Sequence, residues 1–256
     1  MDKLKNIIII GTGKVAQQLG SAIAKGNVNI VGVWGRTSEN AEKLAQSLNT
    51  LYFTKLSEIS IDCLALICVS DGAIEEVLSQ IPEDIKVAYT SGSVKLTDLP
   101  ERENIGVFYP LQTFSEGSNV NINEVPFLIE ANNQNFEKEL QILASSISET
   151  VLIANSADRY NIHIAAVMVN NFTNFLYYLA SEHLSDHDLD FDLLRPLIKE
   201  TVNKLEYISP LNAQTGPAVR GDIKVINSHI NSLNSPDVKE LYKLFSNMIM
   251  KTIQSK

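Results

Sequence analysis

Asn6-Ile7-Ile8-Ile9-Ile10-Gly11-Thr12-Gly13-Lys14-Val15-Ala16 is the stretch whose reading decides the fold. Four consecutive isoleucines end at a glycine. An unbroken run of β-branched apolar residues suits a strand buried on both faces, as in a parallel sheet. Gly11-x-Gly13-x-x-Ala16 then opens a helical pattern through Leu19, Ile23 and Ala24. In such a turn the first glycine permits the tight bend. The second lets the backbone approach a pyrophosphate, and the small third residue lets helix and strand pack closely. The N–H groups at the helix start, from Thr12 through Lys14 and Val15, face the phosphate, and the helix dipole favours its charge. The motif carries weight because it lies between a predicted strand and a predicted helix.

The next strand, Asn29–Trp34, leads into Gly35-Arg36-Thr37-Ser38. A dinucleotide site for NAD has an Asp or Glu here to hold the ribose 2′-hydroxyl. No acid stands between Ile30 and Ser38. Arg36 can instead pair with a 2′-phosphate, and Thr37 and Ser38 can donate hydrogen bonds to it. The pattern favours NADP over NAD. Ser38 also suits the N-cap of a helix over Glu39–Leu48.

Further strands are predicted at Leu51–Phe53, Ile61–Val69 (central), Lys86–Thr90, Ile105–Tyr109, Pro126–Glu130 and Val151–Ile153, with a helix over Asn135–Ser146. Ligands of open α/β sheets bind at the carboxyl ends of strands. That places Val69, Ser70 and Asp71 near the nicotinamide half of the cofactor, with Ser91 after the fifth strand. Asp71 is expected to cap a helix running through Gln80.

From Ala157 onward no strand is predicted. One long apolar helix is expected over about Asp158–Leu184, and a second over Asp190–Tyr207 with a restart at Arg195-Pro196. A helix follows over about Ile223–Leu233, and a last one runs from Pro236 to about Thr252, with Ser235 as N-cap and Pro236 at its first position. The chain therefore reads as an α/β half, residues 1–155, and an all-helical half, residues 156–256.

The bulk properties narrow the function. The 256 residues are 45% apolar and carry a net charge of −9. That charge argues against nucleic acid or an anionic membrane as the main partner. No apolar run approaches the length of a membrane span. The amino terminus reads straight into a strand, unlike a signal peptide, so a cytoplasmic location is expected. Cys63 and Cys68 lie an odd number of residues apart in one strand, so they point to opposite faces and cannot bridge each other. The histidines show no metal-ligand spacing.

His163, Asn170 and Asn174 fall within about 20° of one another on a regular helix. With Asn171 beside them, they make a polar stripe on an apolar helix, costly to bury without partners. Such a stripe beginning near the division of the chain suits a substrate pocket, and a hydrogen-bonded seam between helices or a solvent edge is the alternative. Thr215-Gly216-Pro217 reads as rigid, extended backbone able to present polar groups to a ligand. Arg220 can hold a carboxylate bidentately or pair with Asp222.

These stretches together resemble the Rossmann-like proteins with a DUF2520 carboxyl-terminal domain. The resemblance is carried by Gly11–Ala16, Gly35-Arg36-Thr37, Tyr109-Pro110-Leu111-Gln112-Thr113-Phe114, His163-Ile164-Ala165-Ala166 with Asn170-Asn171-Phe172, and Gly216-Pro217 through Arg220-Gly221-Asp222. The family more often has His-Pro where this chain has Tyr109-Pro110. It is similar to the 6-phosphogluconate-dehydrogenase-like superfamily, which includes pyrroline-5-carboxylate, ketopantoate and β-hydroxyacid oxidoreductases. Several β-hydroxyacid members carry Lys-x-x-Asn-Asn, with the Lys as proton donor. Aligned on Asn170-Asn171, Val167 takes the Lys position here. His163, one turn earlier, becomes the expected proton donor or acceptor, since imidazole titrates near neutral pH.

The sequence thus predicts an NADP(H)-dependent oxidoreductase acting on a small carbonyl, imine or alcohol where the two halves meet. His163, Asn170 and Asn171 are expected at the chemistry, and Tyr109, Gln112, Thr215, Gly216 and Arg220 at the substrate. The resemblance implies a homodimer through the helical half. The alternative is a nucleotide-binding sensor or scaffold without turnover.

Overall fold

The computed structural model describes residues 4–26, 28–59, 62–115, 117 and 120–255. The first compact unit, reaching to Asn170, is built on a sheet of eight strands among the described residues. The chain runs β1 Asn6–Ile10, α1 Lys14–Ala24, β2 Asn29–Trp34, α2 Ser38–Ser47, β3 Leu51–Phe53, β4 Leu64–Ile67, α3 Ile74–Leu78, β5 Lys86–Tyr89, β6 Ile105–Pro110, β7 Phe127–Ala131, α4 Gln134–Ser145, β8 Val151–Ile153 and α5 Ser156–Val167. Spatially the strands are ordered β3-β2-β1-β4-β5-β6-β7-β8. This is a Rossmann-type sheet, parallel from β3 through β6.

The register aligns the carboxyl ends. Ile10 lies opposite both Trp34 and Ile67, Ile67 opposite Tyr89, and Tyr89 opposite Val107. Gly11, Gly35, Cys68 and Thr90 therefore follow their strands at one edge, and Tyr109 reaches two residues further along β6. Strand alternation sorts the side chains into two cores. Ile7, Ile9, Leu66 and Phe108 pack on one face; Ile8, Ile10, Ile67, Tyr89 and Tyr109 pack on the other. All four isoleucines of β1 are fully buried, as expected for a strand covered on both faces.

β7 runs antiparallel to β6, with Tyr109 opposite Leu128 and Val107 opposite Glu130, and β8 is parallel to β7. The chain thus leaves β8 at the amino edge of the parallel strands. α5 then climbs the face that carries Tyr109, with Ile162 packed against that core. Asn155 caps α5 by accepting from the N–H groups of Ala157 and Asp158 at 2.9 Å each.

Several local expectations change. The central strand is shorter than 61–69, and its predicted first residue, Ile61, lies outside the described residues. α2 begins at Ser38 after an extended Thr37, so Ser38 is inside the first turn and caps nothing. Asp71 opens a 3-10 turn, Asp71–Ala73, and does not cap α3, because its carboxylate accepts from the Ser93 hydroxyl. The helix predicted over 158–184 is interrupted: α5 passes into a π-helical turn, Met168–Phe172, before α6, Thr173–Ser185. That turn breaks the regular 100° periodicity on which the His163–Asn174 stripe depends.

The second compact unit, residues 171–256, holds α6, then α7 Arg195–Asn203, α8 Pro217–Arg220, α9 Ile223–Ser232 and α10 Pro236–Gln254. Short 3-10 turns, Phe191–Leu194 and Lys204–Glu206, flank α7 where one helix is predicted. Gly216 takes φ +106° and Pro217 starts α8, so this dipeptide begins a helix and does not run on as extended backbone. Ser235 caps α10, accepting from Val238 N–H at 3.4 Å. Ala218, Ile226 and Ile230 form a small core with Tyr242, Ile249 and Met250.

Cys63 and Cys68 form no disulfide and are buried in opposite cores. Burial raises the Cys63 thiol to about 11, with Asp62 adding to the effect, and raises Cys68 to about 12 against a hydrogen bond with Thr90. Both thiols are therefore neutral at pH 8. Because the folded values lie above the ordinary 9.0, the stability they contribute is present below pH 9 and is lost as pH rises through 11 and 12. At pH 8 the folded protein should titrate no thiols with a disulfide reagent, and two after denaturation; a fast-reacting thiol in the folded state would contradict this burial.

Candidate functional site

The glycine turn is forced by its neighbours. Gly11 has φ +121°, and a Cβ there would lie 2.2 Å from the Cys68 carbonyl oxygen. Gly11 N–H donates to Trp34 O at 2.7 Å, and Gln17 Nε2 donates to Thr12 O at 3.1 Å, fixing the loop. Gly13, the N-cap of α1, is different: a Cβ there would meet nothing within 4 Å. Its open face, with no side chain capping the first turn of α1 and no acid in that turn, fits an incoming anion. Ala16 is fully buried. Gly35 is held close as well, since a Cβ would lie 2.5 Å from Thr12 Cγ2.

Gly11, Thr12, Gly13, Trp34, Arg36, Val69 and Ser70 share one cleft of about 400 Å³ with Glu76 of α3 and Gln80 just beyond that helix. Arg36 is exposed and has no ion-pair or hydrogen-bond partner among the described residues. The chemistry of this set — a bare helix N-terminus, an open glycine and an unengaged guanidinium — fits a phosphorylated dinucleotide. Lys14 and Val15 form the first turn of α1, and Thr37 precedes α2.

A second cluster stands further along the same sheet edge. After β5 the chain turns through Ser91-Gly92-Ser93. The buried Ser91 hydroxyl accepts from the N–H groups of Ser93 at 3.1 Å and Val94 at 3.0 Å. Ser93 donates to Asp71. Against this turn sit Tyr109 of β6 and His163 of α5, the phenol oxygen 3.0 Å from Nδ1. The rings meet edge-on with centroids 6.0 Å apart. Burial pushes the Tyr109 phenol up, the Asp71 carboxylate adds to this, and Arg159 opposes it. Tyr109 therefore keeps its proton at neutral pH, and its hydroxyl shares one hydrogen bond with His163 Nδ1 whose direction is set by the imidazole tautomer.

The structure thus joins Asp71, Ser91, Tyr109 and His163. Gln112 is exposed, its Oε1 accepting from Thr113 N–H at 2.8 Å. Asn170 and Asn171 are exposed in the π-helical turn. Thr215, Gly216 and Arg220 belong to the helical unit, where Arg220 is exposed and Asp222 caps α9 by accepting from Val225 N–H at 3.2 Å.

A crystal structure of a Bacteroides fragilis protein, described as a putative NADP oxidoreductase, is 37% identical, covers 97% of this chain and 98% of its own, and superposes with a TM-score of 0.86. The chain belongs to that protein's family. The model described as "Domain of unknown function (DUF2520)" matches residues 125–249 of this family member, and the shikimate/quinate 5-dehydrogenase model matches residues 2–86. A Thermotoga maritima protein is 19% identical over 97% of this chain and 98% of its own, with a TM-score of 0.76. A reductive aminase from Aspergillus terreus, solved with NADPH and ethyl levulinate, is 13% identical over 99% of this chain and 95% of its own, with a TM-score of 0.71. No curated protein matches the chain in sequence.

Sequence reasoning missed Gly92, Ser93 and Arg159. For Gly92 the signal is small residues directly after a buried strand. A Cβ on Gly92 would lie 2.6 Å from His163 Nδ1 and 2.8 Å from Tyr109 Cζ. Gly92→Ala should therefore part the pair and cost roughly 1–3 kcal/mol, the range for overpacking. Calorimetric unfolding alongside the imidazole NMR spectrum checks this, and an unchanged Tm with an unchanged His163 resonance would refute it.

Proposed function

We propose that this protein is an NADP(H)-dependent oxidoreductase that reduces, or in reverse forms, a small carbonyl or imine. One observation carries the reading: a single sheet edge bears both the open glycine turn with Arg36 and the Tyr109–His163 hydrogen bond. The family member described as an NADP oxidoreductase and the NADPH-bound reductive aminase support it.

In the proposed arrangement, Gly13 and the first turn of α1 hold the pyrophosphate, and Arg36 with Thr37 holds the 2′-phosphate. Bound NADPH supplies hydride to the electrophilic carbon. Reduction of C=O or C=N also needs one proton at the heteroatom, and the chain supplies it from Tyr109 and His163. Tyr109 holds its proton because burial and Asp71 disfavour the phenolate. As the phenol releases that proton to developing negative charge, an imidazolium at His163 can replace it across the 3.0 Å contact.

The helical unit exposes Phe175, Leu193, Leu197, Val202 and Leu244. We take this apolar surface as the part that a second copy covers. Light scattering should give twice the chain mass, and a monomer at micromolar concentration would count against a dimer.

Titration with NADPH and NADH, followed by nicotinamide fluorescence, tests the cofactor reading first. NADPH should bind in preference to NADH, and Arg36→Ala should weaken NADPH by roughly ten- to a hundredfold, as expected for a lost charge-assisted contact. Preference for NADPH undiminished in Arg36→Ala would exclude the role given to Arg36. A screen of carbonyls and imines with NADPH then tests the chemistry. On any substrate turned over, His163→Ala should lower kcat by roughly 10²–10⁴ with little effect on NADPH binding. Binding without turnover of any substrate would favour a sensor.

A further inference from the structure

Arg159 is fully buried, does not line the nucleotide cleft and is not a partner in the Tyr109–His163 hydrogen bond. It lies one turn before His163 on α5. One end of its guanidinium is paired with the Glu130 carboxylate of β7; the other donates to the Val94 carbonyl at the end of the Ser91–Ser93 turn. Its Nε has no hydrogen-bond partner among the described residues. Glu130 also accepts from the Ser156 N–H and hydroxyl, both at 2.9 Å, so the carboxylate grips the first turn of α5. Val94 O accepts in addition from the Tyr89 hydroxyl at 3.1 Å.

We infer that Arg159 is a positioning residue: its fork ties α5 to β7 and to the Gly92 turn at once, and so sets the distance between His163 and Tyr109. The inference rests on the reading of that pair as the proton carriers. Both partners of the pair abut Gly92, and Arg159 holds the two bodies that meet there, the helix bearing His163 and the turn bearing Gly92. A guanidinium presents two separated donor edges in a fixed plane, whereas a lysine ammonium is a single point that cannot span both acceptors. The burial of an arginine with one nitrogen unsatisfied is accounted for by this double tether, which an apolar residue cannot supply.

The test uses the full-length protein, with the side-chain nitrogen resonances of its histidines as the readout. Four histidines are present, and His163→Gln identifies the His163 signals. Tyr109→Phe removes the hydrogen bond and defines the shift its loss causes. Arg159→Lys retains the charge without the fork. Glu130→Gln with Arg159→Met removes both charges while leaving an acceptor for Ser156, which guards against the misfolding that one unpaired buried charge would cause. Both variants should remain folded by circular dichroism and bind NADPH within about twofold of the parent. Their His163 Nδ1 resonance should nonetheless move by at least half the Tyr109→Phe shift. A His163 resonance unmoved in either folded variant overturns the inference, and so does a Tyr109→Phe variant that leaves it in place. Failure of the parent protein to bind NADPH would overturn the oxidoreductase reading alone, because the resonance is read without cofactor.

Discussion

At Gly11 the chain leaves β1 against the carbonyl group of Cys68, so close that not even a methyl group fits, and with a backbone angle that side chains rarely adopt. Much else follows from that contact. It brings β1 and β4 to the same edge, aims α1 so that its bare N-terminus faces outward, and leaves Gly13 open where Gly11 is closed. The two glycines of one motif thus do opposite work, one filling space and the other keeping it free. The fully buried isoleucines ahead of them make the strand rigid enough to hold the turn in this position.

The two parts of the site differ in how they are built, and this explains how much of each was legible in the sequence. The nucleotide half is local. Gly11, Gly13, Ala16 and Arg36 lie within about one βαβ unit, and each has a stereochemical reason that follows from residue type and spacing alone. The burial of β1, the opposed cysteines and the Ser235 cap were legible for the same reason, since period, spacing and cap chemistry act over a few residues. Tyr109 and His163 were each identifiable as candidates, but their contact was not. It joins residues 54 apart, and no spacing rule carries across a reversed strand and a helix.

The errors have physical causes of the same kind. Asp71 looked like a helix cap because Asp before a helical pattern usually is one; a serine 22 residues away claims its carboxylate instead. The polar stripe assumed an uninterrupted 100° helix, which the turn at Met168–Phe172 denies. Arg159 was hidden in an apolar helix because its partners, Glu130 and Val94, come from other elements. A lone arginine in such a helix is a signal that something must be paired with it, though not a signal of what.

The reversal of β7 has a consequence for order of assembly. Loops closing over few residues lose less chain entropy than those closing over many. The β1–α1 turn closes within a dozen residues, while α5 joins its sheet only after β7 and β8 have doubled back. Regions of a folded protein open with different free energies, and a helix held by a few tethers opens more easily than a central parallel strand. Loss of α5 from its face would separate His163 from Tyr109 while the glycine turn stayed intact. On the proposed function, nucleotide capture and proton delivery become separable: a molecule with α5 undocked would keep its glycine turn for the nucleotide and yet be chemically silent.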